Sequence, residues 1–198
     1  MQSPIENIVS GRGEKKGIVC FDQMKVISSK VEKHAPSVLM VTSIPAGKSV
    51  GMIASELAVA TALQGKKVLL VEVDLNKPSL HEWFQINQST REDPFATILS
   101  TFIPELDVVV ANSPIGKPID ILLSPWFREQ VISWQDTYDR VIFSAPSLYS
   151  GVEMELLADQ CREAVLVLQR QDKAKDIRLV QGKLEAAGCN IIGAVYQR

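Results

Sequence analysis

The residues with the clearest chemical potential lie between an apolar run and a helical pattern, in the loop Ser43–Ser49. Gly47-Lys48-Ser49 stands just before the helix, where backbone N–H groups at a helix N-terminus can bind phosphate, a lysine can bridge phosphates and a serine can hold Mg²⁺. We therefore take Ser43, Gly47, Lys48 and Ser49 as candidates for a weak or vestigial phosphate loop. The full pattern Gly-x4-Gly-Lys-Ser is not met, because Thr42 occupies its first position.

Two acids follow the next apolar run. Glu72 and Asp74 flank Val73 at the end of Lys67–Val73. One of the acids could face a bound metal–nucleotide, so Glu72 and Asp74 are the catalytic candidates, and Ser49 and Asp74 the candidate metal ligands. Taken alone, the two acids are better interpreted as a solvated strand end.

Both groups need a sheet to position them. The sequence predicts buried strands alternating with amphipathic helices, which is typical of a doubly wound, mainly parallel sheet with helices on both faces. In this α/β class, ligands lie beyond the carboxyl ends of the strands. Predicted strands are 37–42, 67–73, 106–111, 139–143, 164–168 and 190–196, and predicted helices include 20–34, the segment after Ser49, 152–161 and 173–187. We expect an N-terminal arm over 1–19 and one P-loop-like α/β domain over 20–198.

The composition of the chain argues against several classes of protein. The 198 residues carry 21 basic and 23 acidic side chains, a net charge of −2, so no global charge favours nucleic acid as a partner. Three dispersed cysteines and two histidines argue against a zinc site or a disulfide framework. No apolar run approaches the roughly 20 residues of a membrane span, and the first ten residues do not resemble a signal peptide. We therefore expect a cytoplasmic protein.

Several segments in order resemble one family. The stretch Lys66–Phe84, KKVLLVEVDLNKPSLHEWF, is similar to the Walker A′ region of the bacterial tyrosine kinases of capsule and exopolysaccharide assembly, which are deviant Walker-A P-loop ATPases. Asp107–Phe127, Tyr138–Pro146 and Asn190–Gln197 resemble the family's Pro-x-Glu-Leu-Leu-x-Ser segment, its Walker B strand and its final strand. The resemblance implies a P-loop NTPase-like fold.

The departures from the family pattern concern the phosphate chemistry. Aligned without gaps, the first loop places Val50 at the Walker lysine and Gly51 at the magnesium serine; a gapped alignment instead keeps Lys48 and Ser49 as the true pair. The ungapped alignment is favoured. Glu72 replaces the first acid of Walker A′, whereas Asp74 is retained, and Ser144 stands where Walker B has its aspartate.

Accessory features of the kinases are also changed. Asp22, Lys25 and Ser28 occupy the positions of the family's Glu-x-x-Arg-x-x-Arg helix motif, and the C-terminal tyrosine cluster is missing. The resemblance therefore implies a catalytically degenerate, non-enzymatic protein of capsule or exopolysaccharide synthesis. It would regulate a membrane polysaccharide co-polymerase from the cytoplasm, held peripherally at the inner face of the cell membrane by that partner. A homo-oligomer or an active kinase paralogue could be a further partner.

Two alternatives stay open. One is an active ATP-dependent tyrosine kinase or ATPase that uses Lys48, Ser49 and Asp74; the other is a positional ATPase like those of chromosome partitioning and septum placement. ATP and Mg²⁺ are expected as cofactors only if the phosphate loop functions.

Overall fold

Among the residues that the structure describes, seven strands form one sheet. The computed structural model describes residues 21–31, 38–44, 49–86, 95, 97–111 and 117–197; the predicted arm 1–19 lies outside them. The strands are β1 (Val38–Ser43), β2 (Val68–Glu72), β3 (Leu99–Ser100), β4 (Leu106–Val109), β5 (Arg140–Ser144), β6 (Glu163–Gln169) and β7 (Asn190–Gln197).

The strand order is β3-β4-β2-β5-β1-β6-β7. Every pair is parallel except β3 with β4. The carboxyl ends of β1, β2 and β5 are therefore neighbours at one edge, which is where ligands bind in this class of sheet. The prediction of a mainly parallel α/β fold is confirmed.

Helices cover both faces of the sheet. They are α1 (Phe21–Val31), α2 (Ser49–Ala62), α3 (Leu80–Phe84), α4 (Pro118–Leu122), α5 (Pro125–Thr137), α6 (Glu153–Ala158) and α7 (Ala174–Ala186), with a 3₁₀ turn at Leu148–Ser150. One apolar core holds side chains of α1, α2 and α3 against the sheet. The other core holds side chains of α5, α6 and α7. This two-sided burial explains why the strands are almost purely apolar.

Most predicted elements are present with ends shifted by one or two residues, but two predictions need correction. The predicted helix 152–161 is shorter, since α6 ends at Ala158. The sequence patterns also gave no element for β3, α3, α4 or α5, of which α5 is the longest with 13 residues. Ser124 caps α5 by accepting the backbone N–H of Phe127 at 3.1 Å, and Pro125 at its first position suits the start of a helix.

None of the helices in the described parts of the chain is long and apolar enough to cross a membrane.

One buried charge in α2 makes the fold sensitive to pH. Glu56 is only 1% exposed, and neither of its carboxylate oxygens accepts a hydrogen bond from the described residues. Burial raises the pKa of this carboxyl from 4.5 to about 7. Because the folded pKa lies above the unfolded one, the stabilisation is complete below about pH 4.5 and is lost as the pH rises through 7.

We therefore predict that Glu56→Gln raises the free energy of unfolding at pH 8 by about 2–3 kcal/mol and changes it little at pH 4.5. Urea unfolding at the two pH values measures this difference. Glu129→Gln, an exposed change on α5, is the matched control and should leave the pH profile unaltered. Equal stabilisation at both pH values would show that Glu56 is not the titrating group.

Candidate functional site

A cavity of about 340 Å³ lies at the carboxyl ends of β1, β2 and β5. Its walls come from the end of β1 and the start of α2, from the segment between β2 and α3, and from the residues after β5. The lining residues are Ser43, Val50, Gly51, Glu72, Asp74, Lys77, Pro78, Ser79, Glu82, Ser144, Ala145 and Ser147. The sheet thus brings the predicted loop and the two predicted acids to the same place.

Glu72 is the most constrained acid of the cavity. It ends β2 and is 1% exposed. One carboxylate oxygen accepts the backbone N–H groups of Ser79 and, at 2.8 Å, of Leu80. The other accepts the N–H of Ala111 at 3.1 Å. Burial raises the pKa of this carboxyl to about 7, although the three N–H donors oppose the shift. Both oxygens are therefore engaged in holding backbone.

Asp74 is less buried and lies on the cavity wall. Its Oδ1 accepts the backbone N–H of Lys77 at 3.2 Å, which closes a turn just after β2. Burial raises the pKa of Asp74, while the N–H groups of Lys77 and Asn76 and the charge of Lys77 act in the opposite direction. Asp74 thus accepts backbone N–H groups of its own turn and, unlike Glu72, is only partly buried beside the cavity.

The loop after β1 contributes its two ends to the cavity. Ser43 lines the wall, and α2 begins at Ser49, whose side chain is outside the described structure. Gly47 and Lys48 also lie outside the described residues. Val50 and Gly51, the next residues of α2, both line the cavity. The helix start therefore stands at the predicted position, with an apolar side chain and a glycine facing the site.

Gly51 and Ser79 fit closely against each other. A Cβ atom built at Gly51 would meet the Ser79 hydroxyl oxygen far inside normal contact, with Trp83 Nε1 3.6 Å away. Glu72 holds this serine in place through the Ser79 backbone N–H. Any side chain at position 51 would therefore require the Ser79 hydroxyl to move.

The wall formed after β5 is hydroxyl-rich. Ser144 ends β5 and lines the cavity, and its carbonyl accepts the N–H groups of Val73 at 3.0 Å and Asp74 at 3.3 Å. Thr42 donates its hydroxyl to the Pro146 carbonyl at 2.6 Å, and the hydroxyl oxygens of Ser147 and Ser150 lie 2.8 Å apart. These bonds tie the ends of β1, β2 and β5 together.

Four polar lining residues were not singled out from the sequence: Lys77, Ser79, Glu82 and Ser147. The first three follow Asp74 within eight residues. They lie on the cavity wall because Glu72 accepts the backbone N–H groups of Ser79 and Leu80 and so holds this segment at the end of β2. A single acid at a strand end does not reveal that contact. Among the described residues, no group of three or more His, Cys, Asp or Glu side chains is arranged to hold a metal ion.

Known proteins with similar sequences are tyrosine kinases by name. The chain is 28% identical to the tyrosine-protein kinase YwqD of Bacillus subtilis over 177 residues, which cover 84% of this chain and 74% of that protein. It is 24% identical to the putative tyrosine-protein kinase CapB of Staphylococcus aureus, over 87% of this chain and 79% of that protein. No family model matches the chain.

Solved structures with a similar fold include one whose name contains that of a tyrosine kinase relative and one of a septum site-determining protein. The crystal structure of the chimerical protein CapA2B2 superposes with a TM-score of 0.81 at 25% identity, covering 99% of this chain and 91% of that one. The septum site-determining protein MinD of Pyrococcus horikoshii, complexed with Mg-ADP, superposes with a TM-score of 0.67 at 19% identity, over 81% and 70% of the two chains; this second likeness concerns the fold alone. The resemblance to the bacterial tyrosine kinases and the P-loop NTPase-like fold are confirmed.

The contacts of Glu72 predict the result of removing it. Glu72→Ala leaves three backbone N–H groups without their acceptor, so we expect a loss on the order of 3 kcal/mol in the free energy of unfolding. Amide hydrogen exchange at Leu80 and Ala111 should accelerate. Glu82→Ala, which changes an exposed acid of the same cavity, is the control and should leave both amides protected. Unchanged exchange at Leu80 and Ala111 in Glu72→Ala would contradict the assigned contacts.

Proposed function

We propose that this chain is a catalytically degenerate relative of the tyrosine kinases of capsule and exopolysaccharide assembly, and that it acts by binding a partner rather than by transferring phosphate. The observation that carries the proposal is the cavity wall made by Val50, Gly51 and Ser144. In the ungapped alignment these residues stand where the family pattern has its lysine, its magnesium serine and its Walker B aspartate.

The charge of the cavity supports this. Its described lining holds three carboxyl groups, those of Glu72, Asp74 and Glu82, and one ammonium group, that of Lys77. Phosphoryl transfer depends on positioning and on positive charge around the transferred group. An apolar Val50 beside these acids provides no such charge. The described part of the cavity is therefore a poor site for a nucleoside triphosphate.

The magnesium side is also weakened. Mg²⁺ is bound through carboxylates and substrate phosphates, yet Ser144 has only a hydroxyl. Gly51 has no side chain, and the Ser79 hydroxyl takes up the adjacent space. Glu72 already uses both carboxylate oxygens for backbone contacts. Asp74 is left as the candidate ligand of the described wall, and one carboxylate does not make a metal site.

The partner we propose is a membrane polysaccharide co-polymerase, which this chain would regulate from the cytoplasm at the inner face of the membrane. Support comes from the chimera CapA2B2, whose name combines CapA with CapB, the name of one of the curated relatives. A second copy of this chain or an active kinase paralogue could also take part in such a complex.

An active kinase or ATPase is the second candidate, and one observation favours it. The helix α2 starts at Ser49, directly after β1 and at the carboxyl edge of the sheet, as a phosphate loop requires. In that case Lys48 and Ser49 would bind ATP and Mg²⁺ together with Asp74. A positional ATPase is supported only by the fold shared with MinD.

Titration of Mg·ATP by calorimetry separates these candidates. We expect no heat of binding at millimolar nucleotide for the unmodified protein, because the cavity wall has Val50 at the position where the family pattern has a lysine. Micromolar binding that Lys48→Ala abolishes and the control Lys66→Ala preserves would overturn the degenerate assignment. Lys66 is an exposed lysine before β2, at the opposite edge of the sheet.

A further inference from the structure

Four basic side chains cluster where β6 turns into α7. Arg170 and Lys173 lie in the turn after β6, and Lys175 and Arg178 lie in the first two turns of α7; all four are exposed. Within the described residues, none of them forms a salt bridge. Lys175 and Arg178 are three residues apart and so share one helix face.

The acids interleaved with these bases are engaged in the fold. Asp172 accepts the backbone N–H of Gln169 at 2.7 Å, and Asp176 accepts the hydroxyl of Tyr149 from the turn after β5. Glu155 of the neighbouring α6 is paired with Lys183. The local excess of positive charge is therefore presented to solvent, although the whole chain has a net charge of −2.

Stability does not account for these bases. Lys173 is the N-cap of α7, and its side chain caps no backbone group. Cations near a helix N-terminus face the positive end of the helix dipole, which is unfavourable. The two bases at the start of α7 thus act against the stability of the helix, which points to a role outside the folding of the chain.

Apolar side chains flank the cluster. Tyr149, joined to α7 through Asp176, is 59% exposed, and Leu179, next to Arg178, is 47% exposed. Basic residues mixed with an exposed tyrosine and leucine are typical of surfaces that lie at the boundary of a membrane. We call Tyr149, Arg170, Lys173, Lys175, Arg178 and Leu179 the α7 surface.

We propose that the α7 surface binds the anionic headgroups of a lipid membrane. Unpaired lysine and arginine side chains gain Coulomb attraction from phosphate-bearing headgroups. Tyr149 and Leu179 can enter the interfacial layer that the bases approach. A helix face is convex, so a flat headgroup layer can reach Lys175 and Arg178 without a groove, which a bound acidic peptide would use to gain contact area.

This binding is independent of nucleotide chemistry. The turn after β6 lies at the carboxyl edge of the sheet, the same edge as the cavity, so a membrane at the α7 surface would bring the cavity close to the lipid. The two proposals can fail separately, because one is tested with vesicles and the other with Mg·ATP.

The experiment is co-sedimentation of the full chain with vesicles of phosphatidylcholine, with or without phosphatidylglycerol. We expect sedimentation with the anionic vesicles at low salt, little with the neutral ones, and release at high salt because the charges are screened. The variant Lys173→Gln/Lys175→Gln/Arg178→Gln should bind about 100-fold more weakly, since each base near the surface contributes about a factor of five.

The matched control is Lys66→Gln/Arg128→Gln/Arg162→Gln, which removes the same charge from exposed positions outside the α7 surface. It should retain binding within about threefold and unfold at the same temperature as the unmodified protein. The α7 variant should unfold at that temperature or slightly above it, because two cations are removed from the helix N-terminus. Equal loss in the two triple variants, equal binding to neutral vesicles, or no binding to anionic vesicles would each overturn the proposal. Binding to an acidic peptide without binding to anionic vesicles would also overturn the proposal.

Discussion

The carboxylate of Glu72 is the interaction on which the candidate site depends. It ends β2, an inner strand of the sheet, and accepts three backbone N–H groups, two from the start of α3 and one from the chain after β4. Buried acids are costly unless their charge is compensated, and here the compensation comes from backbone that must therefore stay in place. The position of Ser79 beside Gly51, and with it the shape of the cavity, follows from this one side chain.

Burial of the strands on both faces is compatible with the altered phosphate chemistry that we propose. The sheet and both apolar cores depend on strands that are buried on two faces, and none of Val50, Gly51 or Ser144 disturbs that burial. Each fits its place: Val50 and Ser144 are buried at the ends of their elements, and Gly51 accommodates the Ser79 hydroxyl. Under the function that we propose, Val50, Gly51 and Ser144 leave the phosphate side of the cavity without the charges of the family pattern, while the framework around them stays intact.

Sequence patterns predicted the sheet well because alternating buried strands and helices leave a strong periodic signal. They also placed Ser43, Glu72 and Asp74 at one edge, since parallel strands end together. They did not reveal that both carboxylate oxygens of Glu72 accept backbone N–H groups, because the donors are seven, eight and 39 residues away, at Ser79, Leu80 and Ala111. The helix α5 was missed although Phe127, Val131 and Trp134 have helical spacing, because exposed Trp126 and Ile132 interrupt the apolar pattern. Gly47 and Lys48 lie outside the described residues and remain sequence predictions.

The central claim is that position 50, rather than Lys48, is the lysine position of the phosphate loop and that its valine abolishes nucleotide binding. The most direct measurement is the thermal unfolding of the unmodified protein with and without millimolar Mg·ATP, since a ligand that binds the folded state raises the unfolding temperature. We expect no change in the unfolding temperature, because Val50, Gly51 and Ser144 leave neither the lysine nor the magnesium ligands of the family pattern on the cavity wall. An unfolding temperature raised by Mg·ATP would contradict the central claim.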